Sequence, residues 1–552
     1  VLLVAVATAT ATVALAGYSS WQRSAADQAA FAVGADTQVN SANGLPPDSA
    51  EAITGAPGVT AATAAGLTGT GNGGQLIALD ASTAGNTILL RPDLSSLPPG
   101  TLWNRIIPSR TPGLALPGHP ARLDILASLG VSFRYSTAAQ RGALGSASVM
   151  AWIESTDGTI EAVPAAGLIP FDGRARPLVF SLSGLDQPAS ALRLLGFTLT
   201  YSLPPYEPGR PTSVPIATLS VQSLAVAATA SGPFGAPFSR GAALAAWPHT
   251  GSASGVPIGP PGPYGGSPPA DGQPPVIADW QSTAGGAQRL IFRTGNEPAT
   301  PILLNNGLSS GQLTGTVAIT AQSPSAPIPV IATSGYLSAN RLSVGSTTSV
   351  TLSGFPSPPT VRTQIVASVT RFPTVYGQNR ALIADLAAVN NVLIASNSPP
   401  LPATRWWLRT ASGQVPRLPG GLGLSVTGRA SQEAALLGNP LLKAPRQAML
   451  AIGLAAVLLG MLGFSISVAA SVRSRRTQSA VFAALGVGKN AQAVQLCLEQ
   501  CALSFPAAIA GLLAGIGLAQ VIVPAITLTA GAAVPVPSAL VIVPLGPAVA
   551  LA

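Results

Sequence analysis

Between Arg446 and Arg473 the chain runs for 26 residues (447–472) without a charged side chain. A second uncharged stretch begins after Glu499 and reaches Ala552, and a third covers residues 1–22, ahead of Arg23. This patterning constrains the fold more than any other feature. A helix of about 20 apolar residues spans a bilayer, and burying a CH₂ group is worth about 0.8 kcal/mol. Three such runs have no credible soluble fate.

The runs divide into four expected membrane helices. Residues 1–22 form the first. It opens at residue 1 without Met or a basic flank, so the chain reads as cut inside a helix. A signal peptide would carry a positive n-region, which is missing, and Tyr18 and Trp21 resemble an interfacial aromatic belt. Residues 447–472 form the second helix. The stretch after Glu499 is too long for one span. Pro524 and the segment 531–537 (GAAVPVP) divide it into a third helix, 501–527, and the start of a fourth, 537–552, cut by the chain end.

Composition narrows the class further. Charged residues make up 9% of the 552, against roughly 25% in an ordinary soluble domain. With 59 Gly and 52 Pro, a coiled coil is excluded. The net charge of +9 comes without any Lys/Arg stripe interleaved with aromatic residues, so no nucleic-acid partner is expected. Cys497 and Cys501, four apart, read as small apolar residues on one helix face. His119 and His249 lie far from them. A zinc site needs more ligands than that, and no cofactor or metal is expected.

Orientation follows from the loop between the second and third helices. It carries Arg473, Arg475, Arg476 and Lys489, with no acid before Glu499. Short loops rich in Lys and Arg stay in the cytoplasm. The loop 473–500 is therefore cytoplasmic, and about 18–446 lies outside.

The outside region reads as β-rich. Phe197, Leu199, Tyr201 and Leu203 alternate with hydroxyl residues, as do Val149, Ala151 and Ile153 ahead of an Asp157-Gly158 turn. Val350 and Leu352, and the run from Val361 to Val369, repeat the pattern. Helix candidates are few: Asp48–Ile53 and Asp385–Ile394. Asp80 and Asp385 each follow an apolar strand and read as strand-end caps. Pro/Gly-rich breaks at 108–120 and 257–275 mark boundaries. The expected arrangement is a core domain in two pieces, 23–117 and 276–446, with a β-sandwich and its Pro/Gly linker, 118–275, inserted between them. The fold class is thus an α+β membrane protein: transmembrane helices plus a large β-rich extracytoplasmic domain containing an inserted β-sandwich.

Catalytic motifs are missing from the sequence. Gly486-Val487-Gly488-Lys489 only echoes a phosphate-binding loop, because Ala483 stands where the earlier glycine is needed and Asn490 follows the lysine. No HExxH, GxSxG or CxxC occurs. The chain is not expected to be an enzyme.

The most informative stretch is 471–499 (SVRSRRTQSAVFAALGVGKNAQAVQLCLE). A basic cluster precedes a short helix pattern, a Gly-permitted turn, and a second helix. Ser471-Val472-Arg473, Arg475-Arg476, Ala484-Leu485-Gly486 and Glu499 follow in the order of the FtsX-like (MacB-type) ABC transporter permease family, which this run resembles. Gln478 stands where that family usually has Glu, and Ala483 where it usually has Arg. Residues 21–36 (WQRSAADQAAFAVGAD) look like the start of the external domain of actinobacterial members. Pro57-Gly58-Val59, Ile77–Asp80, Arg371-Phe372-Pro373 and Trp406-Trp407-Leu408 also look similar.

The resemblance implies a multi-pass cell-membrane subunit partnered by a cytoplasmic ABC ATPase, with a homodimer or a second permease half possible. It implies ATPase coupling through Arg473, Arg475, Arg476, Ala484, Leu485, Gly486 and Glu499. ATP-driven movement of the external domain, for export or for transmitting force, would follow. The rival reading is a membrane-anchored extracytoplasmic binding or sensor protein with a β-sandwich module and no ATPase. A third, a secreted β-rich hydrolase, is opposed by the later helices. A neighbouring reading frame for a P-loop ATPase separates the first two.

Overall fold

The computed structural model describes residues 2–42, 44–45, 47–108, 113–132, 144–155, 159–185, 192–204, 214–253, 273–283, 286–297, 303–304, 307–308, 313–420, 423–478, 488–527, 529, 533–544 and 546. Three helices in it are long and apolar enough to cross a membrane. They cover Leu2–Val33, Pro440–Ser474 and Lys489–Ile526. The second starts where Asn439 accepts the Leu441 N–H at 3.0 Å and Pro440 occupies the first turn, where its missing N–H costs nothing. Pro445, Pro506 and Pro524 lie inside helices, which is tolerated in membrane segments.

The first helix lies against both of the others. Its sequence, VAVATATATVALAG, offers small side chains on every face, and glycines opposite them let the backbones approach. A Cβ at Gly453 would fall 2.7 Å from that of Ala14, and one at Gly460 would fall 2.7 Å from that of Ala7. Both pairs are seven residues apart, a heptad seam. On the other side Gly511 and Gly515 meet Thr8 and Thr12. The Thr12 hydroxyl turns inward to its own helix, donating to the Thr8 carbonyl at 2.7 Å.

All three helices differ in extent from the apolar runs. The first continues past Trp21 to Val33, because residues 24–30 hold four alanines and no Gly or Pro, and Phe31 and Val33 are buried at its end. The third begins at Lys489, so the last 12 residues of the 473–500 segment are helix. Residues 533–544, within which the fourth helix was expected to begin at 537, are not helical. Pro537 and Pro544 each remove a helix-forming N–H, and the Ile542 N–H donates to Ser20 Oγ at 2.7 Å instead.

Among the described residues the strands form one nine-stranded sheet, two seven-stranded sheets and a short pair. The nine-stranded sheet runs Thr347–Thr351, Thr360–Val369, Ile328–Thr333, Ala381–Asp385, Gln75–Leu79, Val59–Gly69, Arg405–Thr410, Thr37–Asn40, Ser425–Gly428. Two of its pairings are parallel: Ile328–Thr333 with Thr360–Val369, and Ala381–Asp385 with Gln75–Leu79. Both faces are covered. Leu76, Ala78, Leu382, Trp406 and Leu408 belong to one apolar cluster, and Ile77, Leu79, Ile383 and Trp407 to the other. That is the period-two alternation of strands, here with apolar residues on both sides.

The two seven-stranded sheets draw on residues 114–320 and bury their facing side chains in one cluster that includes Phe197, Tyr201, Phe180 and Phe292. Phe197, Leu199, Tyr201, Val149, Ala151 and Ile153 all point into it, as their alternation predicts. The boundary expected at 275/276 falls inside these sheets. Gln288–Arg293 pairs with Ile216–Ala227, and Thr314–Thr320 pairs with Arg193–Ser202. The Pro/Gly-rich run that suggested a boundary therefore separates strands of one unit. Ile394, at the end of the helix Leu386–Ala395, packs with Ile160 and Leu195 to join that unit to the nine-stranded body.

Asp80 and Asp385 are helix N-caps at the ends of neighbouring parallel strands. Asp80 accepts the Ser82 N–H, and Asp385 accepts those of Ala388 and Ala81 at 3.0 and 3.2 Å. Burial pushes the Asp385 carboxyl up to about 6, against the pull of those N–H groups and with added repulsion from Asp80. An acid whose folded pKa lies above its unfolded value, about 3.9, penalises the fold above the folded pKa. The penalty fades as pH falls from about 6 towards 4. Asp385→Asn is therefore expected to flatten the rise in melting temperature between pH 7 and pH 4. Parallel curves for wild type and variant would contradict this.

His249 begins the strand His249–Ala253, while His119 sits in a bend.

Candidate functional site

The region where the helices enter the β-rich body gathers several of the segments singled out in the sequence. The first helix ends at Val33, and Gly34 takes φ +82°, a conformation open to glycine. The chain then becomes the strand Thr37–Asn40, held between Arg405–Thr410 and Ser425–Gly428. The second of these flanking strands leads through the short helix Arg429–Gly438 into the helix Pro440–Ser474. Two of the long apolar helices thus issue from adjacent strands of one sheet.

Trp407, fully buried, donates its indole N–H to the Val33 carbonyl at 2.9 Å. Phe372 meets Trp407 edge-on at 6.4 Å and Trp103 at 6.2 Å. The Thr374 N–H donates to the Phe31 carbonyl at 2.8 Å. The Arg-Phe-Pro and Trp-Trp-Leu segments therefore clamp the end of the first helix. Below them Asp36 receives Arg429 at 3.0 Å and the Thr410 N–H at 3.2 Å, while the Arg429 N–H donates to the Asp36 carbonyl. This ties the start of the sheet to the helix that precedes the second membrane helix.

A second charged cluster flanks the first helix. Arg91, with 8% of its side chain exposed, forks onto Asp93 at 2.6 and 2.9 Å and reaches Asp27 at 2.9 Å. It also donates to the Ser538 carbonyl. Burial alone would lower the Arg91 pKa, but the two carboxylates hold it above its ordinary value. Asp27 also accepts Arg23 at 3.0 Å. The Asp36 and Arg91 clusters were not singled out in the sequence. Their one signal was rarity: in a chain only 9% charged, acids beside a helix end stand out.

At the other end of the membrane helices lie the residues expected to couple to an ATPase. Arg473 sits in the last turn of its helix, where a cation opposes the helix dipole favourably. Arg473 and Arg476 are exposed. Arg475 pairs with Glu499 across the gap between the second and third long helices. An exposed pair of this kind is worth at most about 1 kcal/mol, so it positions the helix ends rather than stabilising the fold. Ala484, Leu485 and Gly486 lie outside the described residues.

A helix of 35 residues is about 52 Å long. It runs from the arginine-bearing end to Pro440, where the short helix Arg429–Gly438 completes the link to the sheet of the β-rich body. Cysteines 497 and 501 are free and exposed on the third helix. Among the described residues no group of three or more His, Cys, Asp or Glu could hold a metal ion.

A cleft of about 420 Å³ separates the nine-stranded body from the two-sheet unit, lined by Asp80, Thr83, Glu161 and Trp406 among others. No curated protein matches the chain. Residues 450–552 match the family model "FtsX-like permease C-terminal".

Proposed function

We propose a function from the premise that this membrane protein carries an FtsX-like permease C-terminal domain, the domain of an ABC transporter permease family. It couples ATP hydrolysis by a separate ATPase subunit to movement of its β-rich body, either exporting a substrate or transmitting force. The observation that carries this reading is the long helix Pro440–Ser474, which bears Arg473 at one end and joins at the other, through the short helix Arg429–Gly438, the strand Ser425–Gly428 paired with Thr37–Asn40. A tilt imposed at the arginine end reaches the sheet through the long helix, the short helix before it and two clamps.

The positive-inside bias of Arg473, Arg475, Arg476 and Lys489 supports a cytoplasmic arginine end and an extracytoplasmic body. Exposed Leu454, Leu458, Leu462, Leu513 and Val521 present apolar faces to lipid and to a homodimer mate or second permease half. No ionised side chain lies in the spans 447–472 and 501–527, whereas an ion pathway usually carries some. This favours mechanical transmission.

ATPase docking rests on Ala484, Leu485 and Gly486, with Arg473, Arg475 and Arg476 binding acidic lipid or the ATPase surface. Leu485→Asp is expected to abolish co-purification of the ATPase while leaving membrane insertion and melting temperature unchanged. Undiminished co-purification would remove the docking assignment. The sensor alternative would use the cleft beside Trp406 as its binding site. It would be favoured if no ATPase co-purified with the wild-type chain.

A further inference from the structure

At the level where the long helices meet the body, all three surround a cavity of about 290 Å³. Trp21 and Tyr18 come from the first helix, Arg446 and Met449 from the second, and Ile526 from the third. The Arg446 guanidinium lies 4.7 Å from the Trp21 ring centroid and 5.5 Å from that of Tyr18. Stacking of this kind engages the faces of the guanidinium and leaves its edge donors free. Arg446 Nε is enclosed and has no acceptor among the described residues. An enclosed donor without an acceptor is costly, more so on a charged group.

Among the described residues the surroundings supply no counter-ion. Among the described residues no carboxylate lines the cavity. Asp27, on the first helix, is already held by Arg23 and Arg91, and Lys443 adds a second positive charge one turn before Arg446. The remaining walls, Met449 and Ile526 included, are largely apolar. The aromatic pair marks the depth at which headgroups and acyl chains meet.

We propose that this cavity binds the anionic phosphate headgroup of a membrane lipid. The phosphate oxygens accept from the edge of Arg446, and the acyl chains run down the apolar sides of the helices. A planar guanidinium suits a phosphate's oxygens, and the apolar walls at bilayer depth select a lipid over a soluble phosphate. A lipid seated here contacts all three helices just below the clamps at Asp36 and Trp407, so it bears on the joint between membrane and body.

Trp21 makes the site readable, because the other six tryptophans lie between residues 103 and 407. The full chain is reconstituted in phosphatidylcholine vesicles doped with acyl-brominated phosphatidylglycerol or acyl-brominated phosphatidylcholine. Trp21→Phe identifies the quenchable component. Brominated phosphatidylglycerol is expected to quench it at an about fivefold lower mole fraction, equivalent to about 1 kcal/mol. Arg446→Gln is expected to equalise the two lipids, and Arg446→Lys to keep part of the preference. Inorganic phosphate should leave the quenching unchanged. Equal quenching of wild type by both lipids, or a preference that survives Arg446→Gln, would overturn the proposal. Relief of quenching by inorganic phosphate would overturn the lipid as the phosphate source.

Discussion

A Trp407→Ala chain is expected to lose about 3–5 kcal/mol of stability in the β-rich body and to release the end of the first membrane helix. The indole is fully buried, meets Phe372 edge-on, and holds the Val33 carbonyl through its N–H. Truncation leaves a cavity and strands that carbonyl. Trp407→Phe keeps most of the packing but not the hydrogen bond, so its cost should be smaller, about 1–3 kcal/mol. Denaturation of the detergent-solubilised chain measures both, and limited proteolysis between Val33 and Thr37 reports the freed helix end. If Trp407→Ala melts like wild type, the clamp at the helix end is not what joins membrane to body.

The second large effect concerns the seam between the first and third helices. A Cβ at position 511 would lie 1.9 Å from Thr8 Oγ1 and 2.3 Å from the Ala5 carbonyl oxygen. One at 515 would lie 2.7 Å from Thr12 Cβ and 2.8 Å from the Ala9 carbonyl oxygen. Backbone cannot yield as a flexible side chain can, so Gly511→Ala and Gly515→Ala force the helices apart. Overpacking of this kind costs about 1–3 kcal/mol per site, and the double variant is expected to unfold or separate at markedly lower temperature. Gly517→Ala, with nothing within 4 Å of its added Cβ, is the control. It should be neutral or slightly stabilising, since alanine is the better helix former. Equal melting of the double variant and the control would show that this seam does not hold the bundle.

Much of the molecule was legible from periodicity alone. The uncharged runs became three long helices, and the alternation from Val361 to Val369 became a strand whose inward side chains are all buried. Asp80 and Asp385 read correctly as caps because an acid directly after an apolar strand has few other uses. What stayed hidden depends on partners distant in sequence. Nothing local tells Thr314–Thr320 that it pairs with Arg193–Ser202, or Ala381–Asp385 that it lies parallel to Gln75–Leu79. Read locally, the Pro/Gly run before 275/276 therefore suggests a boundary that the strand pairings cross. The first helix outruns its apolar stretch, because apolarity ends near Trp21 whereas helix propensity, carried by Ala25, Ala26, Ala29 and Ala30, does not. At the site, the arginines and Glu499 were legible by charge, but their pairing was not. The Asp36–Arg429 clamp joins residues almost 400 apart in sequence, a distance over which no local pattern operates.

Sidedness is the premise on which force transmission depends, and labelling of intact cells with a membrane-impermeant maleimide measures it directly. In a Cys497→Ser, Cys501→Ser background, Ser357→Cys on the exposed surface of the body should react in intact cells. Ser474→Cys, beside the arginine cluster, should react only after the membrane is permeabilised. Reaction of Ser474→Cys in intact cells would place the arginine end on the wrong side for any ATPase and contradict the account.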